Sequence, residues 1–201
     1  MKACVFVFFA TILGAQVVAS DATLEFDNAL VRVVRVRYRP HQKTAMHAHP
    51  AAPTVFVYVT NGGRLRIGHE GEEPVIRPPV KAGAVRFQHA VAERHTVEEL
   101  DGVASEYLQL ELKTQPPAEP ATDFRLAPGD RTPYESATLR ILRVTCPPHA
   151  ECPASAHPED PAVVVTGREF RWEPARTPPL SNPSGTAWEQ VRVEIVSPIK
   201  P

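Results

Sequence analysis

The stretch VRVVRV at residues 31–36 occurs a second time as LRILRV at residues 139–144, an offset of 108 residues. Both stretches mix aliphatic and β-branched residues with arginine, a composition typical of strands. The same offset relates several later pairs, among them Pro40 and Pro148, His41 and His149, His49 and His157, and Val55 and Val163. The chain therefore contains two copies of one β-rich unit.

Each copy shows the same break in its apolar alternation. Val31 and Val33 share one face of an extended strand, whereas Val34 and Val36 share the other. The second copy breaks at the same place, between Ile141 and Leu142. We interpret this phase change as a β-bulge, or as a strand that passes from one sheet to another.

Proline punctuates the whole chain, with 22 prolines among 201 residues. Proline is excluded from helix interiors and central strands, so the sequence predicts an all-β protein of short strands joined by turns. The predicted strands cover residues 30–39, 54–60, 64–67, 84–88, 94–97, 105–113, 138–146, 162–166, 169–172 and 188–196.

The second copy is shorter than the first. Residues 170–172 (FRW) match residues 65–67 (LRI), and residues 188–195 resemble residues 105–112. The second copy has no counterpart of the hairpin at residues 83–95, so we do not expect it to close a pocket by itself. We divide the chain into a first unit at residues 21–115, a Pro-rich connector at 116–122 and a second unit at 123–201.

The N-terminal residues 1–20 have the pattern of a secretory signal peptide. Lys2 precedes an apolar run at residues 3–12, and small residues precede Asp21. A membrane anchor is the alternative, but the run is short for a bilayer span. We therefore expect cleavage, a secreted or periplasmic protein, and no stable membrane insertion.

Charge and cysteine content agree with export. Without residues 1–20, 21 basic and 23 acidic residues give a net charge of −2, which argues against nucleic-acid binding. Cys146 and Cys152 are the cysteines left outside the signal, and in an oxidising compartment we expect them to form a disulfide. The alternating arginines at positions 32, 35, 37 and 39 are interpreted as the solvated side of a strand.

The pair His47 and His49 carries the main chemical signal. Residues two apart on a strand share a face, so both imidazoles point the same way if the segment is extended. Two neutral imidazoles on one face are half of a metal site.

The first copy resembles the cupin family. His47-x-His49, a hydrophobic strand and an Asn-Gly-Gly turn at residues 61–63 resemble the first cupin motif, and KAGAVRF at residues 81–87, leading to His95, resembles the second. The resemblance implies two cupin-type β-barrels, the second degenerate, that is, a bicupin. It also implies a metal held by His47, His49 and His95.

The sequence departs from the family pattern at one ligand. The motif glutamate would fall at Pro53 or Thr54, neither of which offers a carboxylate. A three-histidine site with open positions suits Fe, Zn, Mn, Ni or Cu, but lacks a charge to neutralise the ion. His89 is an alternative ligand, and Glu93, Glu98 and Glu99 are candidates for a supporting carboxylate. The other interpretation is that the histidines merely line the barrel mouth.

The remaining histidines carry weaker signals. His69 lies in the charged segment HEGEE and is predicted to be solvated, as are His41 and His149 in turns. In the second copy Ser155 replaces the first histidine of the pair and His157 keeps the second, so we expect no second metal site.

Two functions remain open at this level. The resemblance implies a metal-dependent oxygenase, isomerase or lyase acting on a small molecule. The alternative is a non-catalytic extracytoplasmic module that binds a small ligand or has a structural role. Barrel edge strands also allow a homodimer.

Overall fold

The structure is a computed structural model that describes residues 21–113, 124–131 and 133–196. The predicted signal peptide and the Pro-rich connector lie outside the described residues. The described chain is all-β, as predicted, and no helix in it is long and apolar enough to cross a membrane. Its strands are β1 (Ala22–Asp27), β2 (Val31–Tyr38), β3 (His47–His49), β4 (Thr54–Tyr58), β5 (Leu65–His69), β6 (Val75–Arg77), β7 (Val85–Gln88), β8 (Glu93–Glu99), β9 (Ser105–Leu112), β10 (Phe124–Leu126), β11 (Tyr134–Glu135), β12 (Leu139–Cys146), β13 (Ala150–Glu151), β14 (Ala162–Thr166), β15 (Glu169–Glu173), β16 (Ser181–Asn182) and β17 (Trp188–Ile195).

The first repeat is built from two sheets. One has six strands in the order β1-β2-β9-β4-β7-β10, and the other has four in the order β3-β8-β5-β6. The edge strand β10 comes from residues 123–201, the predicted second unit, but it pairs with β7 of the first. Val36, Tyr38, Ile67 and Val97 form a small buried cluster that joins the two sheets. The candidate site and its cavity lie beside this cluster.

The second repeat keeps the central strands of the first. Its main sheet runs β11-β12-β17-β14-β15, and its second sheet is only the two-stranded β13-β16 pair. The registers are equivalent, since Val31 pairs with Leu112 in the first repeat and Leu139 with Ile195 in the second. His41 and His149 both adopt a positive φ, at 56° and 52°, so the turns after β2 and β12 also correspond.

The proposed match between residues 65–67 and 170–172 is wrong in position. β5 belongs to the four-stranded sheet, whereas β15 pairs with β14 at the edge of the main sheet. The reason is the connection: β14 and β15 are joined by a tight turn at Gly167, whose φ of 58° suits glycine, while six residues separate β4 from β5. A tight hairpin keeps both strands in one sheet.

The change of apolar face along β2 does not come from a β-bulge or from a change of sheet, as the sequence had predicted. β2 pairs with β9 without interruption from Val31 to Tyr38, and the register shift lies in β1, between Leu24 and Phe26. β2 is buried on both faces: Val31 and Val33 face the second repeat, and Val36 and Tyr38 face the interior of the first. Both faces therefore carry apolar residues.

The largest hydrophobic core lies between the main sheets of the two repeats. It combines Val33, Leu110 and their neighbours with Ile141, Val193 and their neighbours. Burial of apolar side chains is the dominant stabilising term in folding, so this core holds the repeats together.

Two equivalent arginines reinforce the contact between the repeats. Arg35 donates to Glu106 at 2.5 Å and to the carbonyl of Arg168 at 2.9 Å. Arg143, 108 residues later, donates to Glu189 at 3.0 Å and to the carbonyl of Gly83. The prediction that the first arginine run is solvated is therefore wrong for Arg35, which is 6% exposed.

The predicted cysteine pair is at bonding distance. The Sγ atoms of Cys146 and Cys152 lie 2.08 Å apart, joining the end of β12 to the residue after β13. The disulfide thus fixes the short β13 segment against the main sheet of the second repeat.

Candidate metal centre

Strands β3 and β8 bring three predicted ligands together. His47 pairs directly with His95 across these strands, and His49 pairs with Glu93. The ring centroids of the three histidines are 4.7–5.0 Å apart. One nitrogen of each imidazole lies within 4.8 Å of the others, a grouping able to hold a metal ion.

Hydrogen bonding determines which ring nitrogen of each histidine is free to bind a metal ion. Nδ1 of His47 donates to the carbonyl of Ala45 at 2.9 Å, so Nε2 is left as the ligand atom. Nδ1 of His95 lies 3.1 Å from Oε1 of Glu93, although its alignment falls short of a hydrogen bond. The carboxylate favours a proton on this nitrogen and again leaves Nε2 for a ligand.

Burial keeps two of the imidazoles neutral. Desolvation lowers the pKa of His47, and desolvation together with His95 and His47 lowers the pKa of His49 to about 4. A neutral imidazole has the lone pair that metal coordination requires. His47 and His49 are therefore in their ligand form near neutral pH.

Glu93 supplies a carboxylate next to the triad. The imidazole of His95, together with hydrogen bonds from His69 and Gln88, holds the pKa of Glu93 well below its usual range. Nε2 of His69 donates to Oε1 of Glu93 at 2.6 Å. His69, Glu93 and His95 form a second group of suitable ligand spacing, which shares His95 with the first.

The prediction that His69 is solvated is wrong. It is the last residue of β5, it pairs with His95 across β8, and its side chain is 24% exposed. The alternation of Leu65 and Ile67, continued by two residues, is the sequence signal that places it inside.

The other candidates lie away from the triad. His89 is exposed between β7 and β8, and Glu98 pairs with Arg66 on the outer face. Glu99 is buried but accepts hydrogen bonds from the backbone nitrogens of His41, Asp101 and Gly102, so it fixes a turn instead of serving the site. Thr54, where the family glutamate is expected, lines the cavity and donates to the carbonyl of Ala52.

Two cavities meet at His49. One enters the barrel interior and is narrow, with about 40 Å³ open to water-sized molecules. The other is a largely apolar groove of about 210 Å³ between β1, β2 and β3. The groove gives a small molecule a path from solvent to the histidines.

In the second repeat, ion pairs lie where the first repeat has its histidine triad. Ser155 donates to Glu194 at 2.6 Å, and Arg140 donates to Glu194 at 3.0 Å and to Asp160. Glu194 is fully buried. His157, Glu159 and Asp160 are spaced as a possible ligand group, but Asp160 is engaged by Arg140.

Sequence comparison gives no relative. No protein-family model matches the chain, and no curated protein matches it.

Three solved structures show the architecture. A putative glyoxylate-induced protein from Pseudomonas aeruginosa matches with a TM-score of 0.58 and 13% identity, over 86% of this chain and 77% of that chain. The pirin YhhW from Escherichia coli, in complex with nickel(II), matches with a TM-score of 0.54 and 11% identity, over 89% and 91%. The oxalate decarboxylase from Lactobacillus farciminis, a formate complex, matches with a TM-score of 0.52 and 11% identity, over 95% and 88%.

These neighbours include proteins of the cupin fold. The chain has a cupin fold. At such identities the likeness shows the fold alone, so function rests on the residues of the site. Within this cupin fold, the three histidines fit a metal ion by the chemistry of their donors: imidazole nitrogens, close spacing and a carboxylate beside them.

Proposed function

We propose that this protein is an exported bicupin in which the first barrel binds one divalent transition metal through His47, His49 and His95. The convergence of three imidazole nitrogens within 4.8 Å carries the proposal. The equivalent registers of the two main sheets support a duplicated cupin unit, with the second reduced to one sheet and a ribbon.

The proposed activity is metal-dependent chemistry on a small molecule, of the oxygenase, isomerase or lyase type. A bound ion would polarise a substrate oxygen or activate water or dioxygen. The chain's own contribution is to hold neutral imidazoles in place and to keep Glu93 beside His95. Imidazole ligands suit Fe, Zn, Mn, Ni or Cu. A fold neighbour crystallised with nickel(II) is consistent with metal binding.

Metal analysis tests this proposal. The exported protein, purified without chelator, is compared by inductively coupled plasma mass spectrometry with a His47→Ala/His95→Ala variant. We expect close to one ion per chain in the native protein and a loss of at least tenfold in the variant. His89→Ala is the matched control, since this exposed histidine lies outside the triad. Equal, substoichiometric metal in all three proteins would overturn the proposal.

A non-catalytic ligand-binding module is the second candidate. Thr54 stands where the family has a carboxylate, and ion pairs occupy the second repeat, which favours this interpretation of the chain. This candidate requires that replacing the triad leave ligand affinity and melting temperature nearly unchanged. A metal-dependent loss of ligand affinity would exclude it.

Export and self-association are proposed as well. Residues 1–20 and the Cys146–Cys152 disulfide support export, and intact mass spectrometry of secreted material should give a chain that begins at Asp21. Val75 and Ile76, exposed on edge strand β6, support a homodimer through this edge. Light scattering after size-exclusion chromatography distinguishes a dimer from a monomer.

A further inference from the structure

Arg86 points into the barrel interior from the middle of β7. Its neighbours Val85 and Phe87 face the core between the repeats, so Arg86 and Gln88 face the cavity. The guanidinium carbon lies 4.0 Å from the ring centroid of Phe56, its cross-strand partner. The strand and the aromatic ring thus fix the position of a cation inside the barrel.

Among the described residues, no carboxylate lies in an ion pair with this cation. Nε of Arg86 is buried without a hydrogen-bond partner. Its charged neighbours Arg77 and Arg125 have the same sign. Burial, and then Arg77, lowers the pKa of Arg86, but a guanidinium stays charged at neutral pH.

The three arginines that are buried in the described chain all have carboxylate partners, unlike the half-buried Arg86. Arg35 bonds to Glu25 and Glu106, Arg140 to Asp160 and Glu194, and Arg192 to Glu173. A buried charge is costly unless it is paired and hydrogen-bonded. The missing ion-pair partner of Arg86 would therefore be explained by an anionic ligand.

The cavity as a whole is positive. Its charged lining consists of Arg77, Arg86 and Glu93, beside the neutral imidazole of His49. Glu93 bonds to His69 and Gln88 and to neither arginine, and one carboxylate against two arginines leaves a net positive charge. Gln88 lies two residues from Arg86, about 7 Å along the strand, and donates to Glu93, the neighbour of His95. Arg86 and the histidines therefore line the same cavity.

We propose that the cavity binds a small carboxylate, whose anionic group is held by Arg86 with help from Arg77 while the rest of the molecule extends toward His49 and His95. Guanidinium matches a carboxylate in a bidentate geometry, and the narrow interior favours a chain of a few carbons. As a substrate class this rests on the proposed metal-dependent function, but binding of the anion requires no metal.

The experiment uses isothermal titration calorimetry and thermal melting on full-length mature protein, with and without chelator. The probes are acetate, malonate and succinate, with malonamide and succinamide as uncharged counterparts, at constant ionic strength. We expect saturable binding of at least one carboxylate, no binding of its amide, and at least tenfold weaker binding in Arg86→Gln. Arg66→Gln is the control, because this exposed arginine on β5 pairs outside the barrel with Glu98.

A second measurement separates ligand binding from a structural role. Because Arg86 is a half-buried charge without an ion-pair partner among the described residues, Arg86→Gln should melt at the same or a higher temperature than native protein without ligand, and should lose the carboxylate-induced rise in melting temperature. A lower ligand-free melting temperature with the rise retained would show a structural residue and overturn the inference. If Arg86→Gln does not fold, Arg77→Gln must weaken carboxylate binding for the inference to stand.

The outcomes distinguish the two proposals. Carboxylate binding in protein that holds no metal would support the anion site while the metal proposal fails. Metal bound by the triad, with carboxylates and amides binding equally or not at all, would overturn the anion site alone.

Discussion

Replacing Arg140 with methionine should destabilise the protein by about 3–5 kcal/mol, the usual cost of breaking one side of a buried ion pair. Arg140 is 7% exposed and bonds to two carboxylates, of which Glu194 is fully buried and Asp160 is 8% exposed. Burial opposes its charge, but the hydrogen bonds to Glu194 and Asp160 raise the pKa of Arg140. Methionine fills much of the same volume, so the variant chiefly removes the charge.

The loss of stability depends on which hydrogen-bond partners the two carboxylates retain in the variant. In the variant, Glu194 retains Ser155 at 2.6 Å and Arg192 at 3.5 Å, whereas Asp160 loses its arginine. For a chain of this size, 1 kcal/mol shifts the melting temperature by about 2–4 °C. We therefore expect a fall of about 6–20 °C in differential scanning calorimetry, with a matching loss in urea unfolding.

Two controls make this result specific. Arg94→Met removes an exposed arginine that pairs with Glu70 at 3.3 Å, and should change stability by less than about 0.5 kcal/mol. Adding Asp160→Asn and Glu194→Gln to Arg140→Met removes the uncompensated charges and should recover a large part of the loss. If Arg140→Met lowers the free energy of unfolding by less than about 1 kcal/mol, the view that this network stabilises the second repeat is refuted.

Acid should destabilise the metal-free protein. The pKa of His49 is about 4 in the folded protein, below the ordinary histidine value of 6.5. As the pH falls below 6.5, His49 therefore binds a proton in the unfolded chain before it does so in the folded one. Urea unfolding at pH 7.5 and 4.5 should show a loss of about 2–3 kcal/mol, smaller in His49→Gln. Glu93→Gln should weaken metal binding about 10–100-fold in chelator competition, with Glu98→Gln unchanged. Cys152→Ser should lower the free energy of unfolding by about 2 kcal/mol. Reductant should destabilise the native protein but not the variant, because only the native protein has the Cys146–Cys152 bond to reduce.

The long strands could be predicted because their alternation extends over many residues. β2, β9, β12 and β17 each span eight residues, and all ten predicted strands are confirmed with small shifts at their ends. Strands such as β13, with two residues, are too short to show a period and are created by pairing with a distant segment. Local sequence does not encode such a partner.

The site was predictable in part for the same reason. A spacing of two placed His47 and His49 on one face, and the family resemblance added His95. His69 was missed because the acidic residues after it have the composition of a loop. Glu93 needed the register of β8, since its facing follows only once His95 is known to point inward.

The inward-facing arginines were not predictable from local pattern. Arg35 and Arg86 occupy positions that alternate with apolar residues, which in an antiparallel sheet with one wet face would be exposed. Here the sheet is covered on both sides, by the second repeat and by the four-stranded sheet, and such coverage depends on contacts between segments far apart in the chain.

A sheet covered on both sides assigns separate tasks to neighbouring residues. Along β9, Leu108 and Leu110 belong to the core between the repeats, whereas Tyr107 and Gln109 line the cavities. Substitutions at odd and even positions of the same strand should therefore alter different properties, thermal resistance in one case and ligand preference in the other. A library that varies only the cavity-facing positions could change the ligand specificity and leave the hydrophobic core between the repeats intact.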